Sequence, residues 1–511
     1  MLRRPATEEA TDQVPDRAPD DALGEHHDDQ GHRALLNTSW LIGSRLGQAV
    51  LGWGGTLLIA RTLSIEDFGR FTLIFTILGL MSVVTDMGIG RIAVRGMLGE
   101  LEGDDGQPLA GGDAAHFAGA YLLLRTLLGV VGYVLVIVIV LALGHPRVAV
   151  GAAVAGVVVL LATPSSALDV VFQARLRMGG VSVLGVVGLA AQFALTAALA
   201  AAGGTLLLFC IPAVLCQVVI LAWKIPAAHR LVPIRLRVDR ALWWRMLREA
   251  LPLTVGLGLA TIYYRVDAIM LSQLDDFDAV GIYGVSYKFI DIVQSVAVAV
   301  TVPLLTVLVT TWPGDLAGFR AAVRRSTMLL GLLGGTAIVG LVGFAEPLTS
   351  VLYGEHYAVG ANATKVLAVA IGLALLTSLA ITCLVAIERH RGYPLVMLAG
   401  LVLNLGLNIA LIPAYSYRGA AVATLISEVV VLTMLCVLLL RVRELRPWGL
   451  GRFLVVPVAI GAGVGVGIGA DLVLPWVLAA TLAVAAFLGA ATAGGVLAAS
   501  GVSGSLRKVR S

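Results

Sequence analysis

The stretch EALPLTVGLGLATIYYRVDAIMLSQLDDFDAVGIYGVSYKFIDIVQS, residues 249–295, decides the fold class. Two apolar runs, each long enough to cross a bilayer, are joined by the acidic turn DDFD, which has no basic residue. Both runs carry ionisable groups well inside them: Arg265 and Asp267 in the first, Lys288 and Asp291 in the second. A charge at the centre of a membrane helix costs roughly 2.5–3.5 kcal/mol on insertion scales, so such groups face a polar cavity or a partner. The hairpin reads as one wall of a central, water-accessible cavity.

The remaining sequence is of the same kind. Of 511 residues, 58% are hydrophobic and 13% charged, where a soluble domain is about one-quarter charged. Cys210, Cys216, Cys383 and Cys436 all lie in apolar spans without zinc-ligand spacing, and read as small packing residues. The first 31 residues are polar, acidic and poor in large apolar side chains, so a disordered tail is expected there. That segment is too acidic for a signal peptide, which leaves the first span to act as its own insertion signal.

From Leu35 onward about fourteen spans follow, each near the ~20 residues needed to cross. The basic residues orient them. With a cytoplasmic amino terminus, 27 of the 36 Lys and Arg residues fall in inward segments. The outward turns hold only Arg61, Arg147, Lys365 and Arg418. Both termini are thus expected in the cytoplasm, in a multi-pass protein of the cell membrane. The longest inward connection, Lys224–Arg248, ends in DRALWWRMLREAL. Its aromatic and basic residues suit either an interfacial helix on anionic headgroups or a linker with aromatic anchors.

An internal repeat organises the spans. ARTLSIEDFGRF places acidic residues and Gly69 between spans one and two, and LSQLDDFDAVGIY places acidic residues and Gly281 between spans seven and eight, 212 residues later. Six spans per unit is an even number, so both units insert in the same orientation, related by an axis along the membrane normal. The expected architecture is an all-α integral membrane protein with two six-helix lobes in a V and two appended helices. Its parts are a disordered cytoplasmic tail (1–34), lobe one (35–230), an interfacial linker (231–248), lobe two (249–440), the appended spans (441–500) and a basic cytoplasmic tail (501–511).

Polar residues inside the spans fall into stripes at helical spacing. Arg45, Arg125, Arg265 and Lys288 are the candidate cations for an anionic cargo, and Asp86, Asp267, Asp291, Glu428 and Gln48 are candidate coupling or cavity groups. Each has a plainer reading. Lys288 and Asp291, three residues apart, neutralise each other; Arg125 snorkels from the end of its span; Asp267 pairs with Arg265 or caps a structural contact. Arg45 has no acidic residue within a helical turn. Asn404 and Asn408 read as helix-packing glue, and the run GAGVGVGIG in span thirteen as close helix packing. No Walker motif or dinucleotide fingerprint is present, and no cofactor or metal site is expected.

Four stretches occur in order: ARTLSIEDFGRFTLIFTILGLMSVVTDMGIGRIAVR (60–95), YYRVDAIMLSQLDDFDAVGIYGVSYKFID (263–291), EPLTSVLYGEHYAVGA (346–361) and LNIALIPAYSYRGAAVATLISEVV (407–430). With the span pattern, they resemble the polysaccharide-transport branch, the oligosaccharide flippases, of the multidrug/oligosaccharidyl-lipid/polysaccharide exporter superfamily. That resemblance implies a cationic central cavity for the diphosphate-sugar headgroup and a lateral opening for the polyprenyl tail. Arg45, Arg265 and Lys288 sit where cavity cations would be expected. It also implies a transporter working by alternating access rather than an enzyme. The implied partners are a polyprenyl-linked glycolipid and membrane lipids, with glycosyltransferase or polymerase machinery as a further candidate and no nucleic acid. A drug or metabolite antiporter of the same fold is the alternative, with acidic residues dominating its cavity. A membrane glycan polymerase or ligase would need a larger outward loop than the one near 345–363.

Overall fold

The computed structural model describes residues 47–48, 50–86, 88–98, 114–175, 177–388, 392–445 and 451–496. The expected amino-terminal and carboxy-terminal tails, and Arg45, lie outside the described residues. In chain order the helices are α1 (50–62), α2 (Ile65–Asp86), α3 (Ile89–Met97), α4 (Ala114–Ala142), α5 (Pro146–Ala174), α6 (Met178–Ala201), α7 (Leu206–Leu231), α8 (Arg240–Leu274), α9 (Phe277–Thr311), α10 (Leu316–Tyr353), α11 (Ala361–Ala386), α12 (Tyr393–Leu440), α13 (Val455–Asp471) and α14 (Trp476–Ala493). No strand occurs among the described residues.

Among the described residues, ten helical segments are long and apolar enough to cross a membrane. At 48 residues α12 spans about 70 Å and crosses twice, breaking at Ser416 (φ 55°, ψ −142°). With α1, α8 and α13 among the described helices, this is roughly consistent with the fourteen spans expected from hydropathy. Local chemistry sets the helix starts. The side chains of Asp239, Asp276 and Asp315 accept the backbone N–H three residues on at the heads of α8, α9 and α10. Ser64 does the same for Asp67 at the head of α2. Span two is not one helix: α2 stops at Asp86, Gly88 turns left-handed (φ 64°), and α3 begins.

Two bundles and an attached pair result. Helix α5 packs on α4 and α7, α6 on α7, and α2 on α4 and α5. In the second bundle α11 packs on α9, α10 and α12, and α8 on α12. Helices α13 and α14 pack on each other and on α10. Their contact is close because of small residues: a Cβ on Gly463 would come within 2.9 Å of Phe487 Cβ, and one on Gly467 within 2.9 Å of Ala483 Cβ.

The bundles meet where α2 crosses α8 and α9. A Cβ on Gly69 would overlap the Phe277 carbonyl oxygen, and one on Gly281 would lie 2.5 Å from the Ile65 carbonyl oxygen. Residues 65 and 277, like 69 and 281, are 212 apart, so the repeat's own axis passes through this contact. Around it, Trp53 Nε1 donates to Tyr353 Oη (2.7 Å), Arg61 Nε donates to the Leu352 carbonyl (2.7 Å), and Tyr357 Oη donates to the Ala60 carbonyl (3.3 Å). These bonds close the space between the bundles at that end.

Two connections differ from the sequence expectation. Residues 240–248 do not form a separate interfacial helix; they are the first turns of α8. Leu242 and Met246 are buried against Phe117 and Tyr121 of α4, and Trp243 Nε1 donates to the Ala120 carbonyl (2.8 Å). The apolar face thus docks on protein, while Trp244 and Arg240 stay exposed. The large outward loop also shrinks, because α10 runs on through Pro347 to Tyr353 and leaves a short 3-10 turn, Glu355–Gly360.

Candidate functional site

Below the glycine crossing, α2, α8 and α9 diverge around a cavity of about 260 Å3. Arg265 from α8 and Lys288 and Asp291 from α9 reach into it. Asp291 is shared: Arg265 Nη2 donates to Oδ1 and Lys288 Nζ to Oδ2, each at 3.2 Å. The opposite wall is α2, with Thr72, Thr76 and Gly79. The Arg265 guanidinium also lies over the Tyr287 ring, 5.6 Å from its centroid. Both cations share Asp291, while the second carboxylate of the lining, Asp267, is held by other partners.

How firmly each cation is held decides which can serve a ligand. Arg265, Lys288 and Asp291 are 37%, 31% and 28% exposed. Pairs that wet are worth about 0–1 kcal/mol, so an anion can replace Asp291 at small cost. Arg125 is 2% exposed and engaged through both Nη atoms, while its buried Nε has no hydrogen-bond partner. Nη1 donates to the Thr85 and Asp86 carbonyls (2.8 and 3.0 Å), and Nη2 donates to Asp86 Oδ1 (2.9 Å) and to Ser166 Oγ. It neither snorkels nor joins the Arg265 cluster. Its guanidinium caps the end of α2, where the helix breaks before Gly88 and leaves carbonyls unpaired.

Asp267 lines the same cavity but does not pair with Arg265, because two residues along a helix turns the side chains about 200° apart. It is buried and held by neutral donors. Tyr283 Oη and Thr424 Oγ1 donate to Oδ2, and Asn408 Nδ2 donates to Oδ1, all at 2.7 Å. Asn408 Nδ2 also donates to Asn404 Oδ1 (2.9 Å). Four spans, from α8, α9 and both halves of α12, converge on this carboxylate. Glu428 is buried one helical turn away on α12, accepting from Tyr263 Oη (3.0 Å) and Thr377 Oγ1 (2.5 Å). Gln48 is half-buried at the start of the described chain and does not line the chamber.

Sequence reading passed over the tyrosines that organise these carboxylates, since a tyrosine in an apolar run looks like core. It also passed over Asp169, whose Oδ1 is 2.6 Å from Lys224 Nζ inside the first bundle. Lys224, expected in a connection, lies within α7, which continues to Leu231.

A family model described as polysaccharide biosynthesis protein matches residues 34–310, more than half of the chain. No curated protein matches. Among solved structures, the lipid II flippase MurJ in an inward closed conformation superposes with a TM-score of 0.67 at 12% identity, covering 88% of this chain and 98% of that one. An inward-facing multidrug resistance MATE family transporter of the MOP superfamily gives 0.62 at 13% identity, covering 78% and 96%. The MATE transporter VcmN of Vibrio cholerae gives 0.54 at 12%, covering 81% and 98%. At such identities the likeness establishes the fold.

Proposed function

Since the chain belongs to the polysaccharide biosynthesis protein family, we propose that it is a flippase. Its cargo would be a polyprenyl-diphosphate-linked oligosaccharide, a precursor of surface polysaccharide or cell wall, moved from the cytoplasmic to the outer leaflet. The observation that carries this reading is the chamber where Arg265 and Lys288 share Asp291 and remain half-exposed. A sugar headgroup cannot cross hydrocarbon unaided, because each unsatisfied polar group costs several kcal/mol. Arg265 and Lys288 offset the diphosphate charge, with Asp291 holding their side chains in place while the chamber is empty. The closed end, by the placement of basic residues, faces outward, so the cargo enters from the cytoplasmic side.

Asp267 is the proposed coupling residue. A buried carboxylate held only by neutral donors takes up a proton or a small cation readily, and it joins four spans that must shift together. Asp267→Asn keeps its partners, because hydroxyls reverse their donor and acceptor roles. This variant is expected to fold but to lose any dependence of transport on an imposed ion gradient.

Testing the headgroup site needs a strain lacking the gene, complemented with the Arg265→Ala, Lys288→Ala double variant. Export of surface polysaccharide should fall to the level of the deletion strain, with the lipid-linked precursor building up inside. Full export by that variant would remove the assignment.

A further inference from the structure

A second cavity, of about 470 Å3, follows the first along the interface between the bundles. On α2 the central chamber is lined as far as Gly79, and the second from Ser82 to Asp86. On α8 the lining passes from Arg265 to Thr261 and Thr254. Gly79 to Ser82 is three residues of helix and Arg265 to Thr261 four, about 5–6 Å. The second chamber therefore begins about one sugar ring from the first.

Its chemistry differs from that of the first. Among its described lining residues the charged ones are Arg125 and Asp86, and they form an ion pair at 2.9 Å. Arg125's Nη donors are consumed by protein oxygens. The hydroxyls around the wall are donors already spent on their own helices: Ser82 on the Gly79 carbonyl, Thr163 on Val159, Ser166 on Thr163 and Thr254 on Ala250. Ser82 and Thr163 keep lone pairs that accept, and Ser166, which takes the Arg125 Nη2 hydrogen, keeps one. Asp86 is 58% exposed, with one oxygen pinned by Arg125 and the other free of that bond. Among the described lining residues the chamber thus presents mainly acceptors, with its two charges paired to each other. A phosphate, which needs donors, is poorly served there; a neutral polyol, rich in O–H donors, is well served.

Resting on the flippase reading, we infer that this chamber binds the hexose rings next to the diphosphate. Asp86 accepts from the sugar hydroxyls, and Arg125 is the positioning residue that holds Asp86 at the end of α2. Discrimination among glycans would then lie in the first bundle, while the diphosphate is held by the second.

The test measures binding of carriers to the purified full-length chain in detergent. The probes are bare undecaprenyl diphosphate and its N-acetylglucosaminyl, glucosyl and galactosyl forms. The wild type should bind at least one glycosylated carrier about tenfold tighter than the bare one, the gain expected of one charged hydrogen bond. Asp86→Asn should bring that ratio close to one while leaving the affinity for the bare carrier unchanged. Ser82→Leu, at an exposed position that keeps the ion pair intact, should do the same by filling the space. Arg265→Ala should weaken both classes of carrier. Equal wild-type affinity across all four probes would overturn the sugar subsite and leave the flippase reading standing. So would an Asp86→Asn variant that weakens bare and glycosylated carriers alike. A wild type that binds none of the probes would overturn both.

Discussion

Arg265 and Arg125 are the same residue type in similar apolar runs, yet the structure uses them oppositely. Arg265 makes one ion pair at the edge of a wet chamber, worth about 0–1 kcal/mol. Arg125 satisfies two carbonyls, a carboxylate and a hydroxyl at 2% exposure, and removing one partner of such a group costs about 3–5 kcal/mol. Thermal unfolding of the purified protein should therefore separate them. Arg125→Ala is expected to lower the midpoint by several degrees or to prevent accumulation of folded protein, and Arg265→Ala to leave the midpoint within about a degree. Equal midpoints for the two variants would contradict the division into structural and ligand-facing arginines. Lys224 with Asp169 belongs with Arg125, since that pair too is spent inside the first bundle.

At the scale of helices, the crossing of α2 over α9 is set by the absence of side chains. Gly69 sits on the Phe277 carbonyl and Gly281 on the Ile65 carbonyl, so backbone touches backbone. A methyl group at either place must push the helices apart. Gly69→Ala and Gly281→Ala are expected to cut export to similar extents while the protein still inserts. Gly340→Ala, where a Cβ meets nothing within 4 Å, should export normally. Near-normal export by Gly69→Ala would show that the close approach is dispensable. The N-caps repeat the symmetry: Ser64 holds the Asp67 N–H as Asp276 holds that of Ala279, each pair displaced by 212 residues.

For the whole molecule, the proposed flippase cycle would open and close at this crossing. Thr72 and Gly284 face each other across it, again 212 residues apart, with the position of a Gly284 Cβ 3.4 Å from Thr72 Cβ. A disulfide needs Cβ atoms about 3.5–4.5 Å apart, so a Thr72→Cys, Gly284→Cys pair fits with a small shift. In a background with Cys436, the exposed native cysteine, changed to Ser, oxidation should stop export and reduction restore it. Unchanged export by the cross-linked protein would mean that the bundles do not separate there. Helices α13 and α14, attached through α10, line neither chamber.

Much of this was legible without coordinates. Apolar length, helical spacing and the 27-to-4 placement of basic residues are local properties, and they determined the span count, the repeat and the location of Arg265, Lys288 and Asp291 in a polar setting. The family followed from ordered stretches of the same kind. Tertiary structure alone decided which ionisable groups are free. Asp267 turned from its neighbour Arg265 to partners on three other spans, Arg125 became a helix cap, and residues 240–248 docked on α4 instead of lipid. The physical reason is that cost in a membrane depends on depth and length, which one segment carries by itself. The partner that cancels the cost is chosen by how helices cross, and that depends on residues hundreds of positions apart.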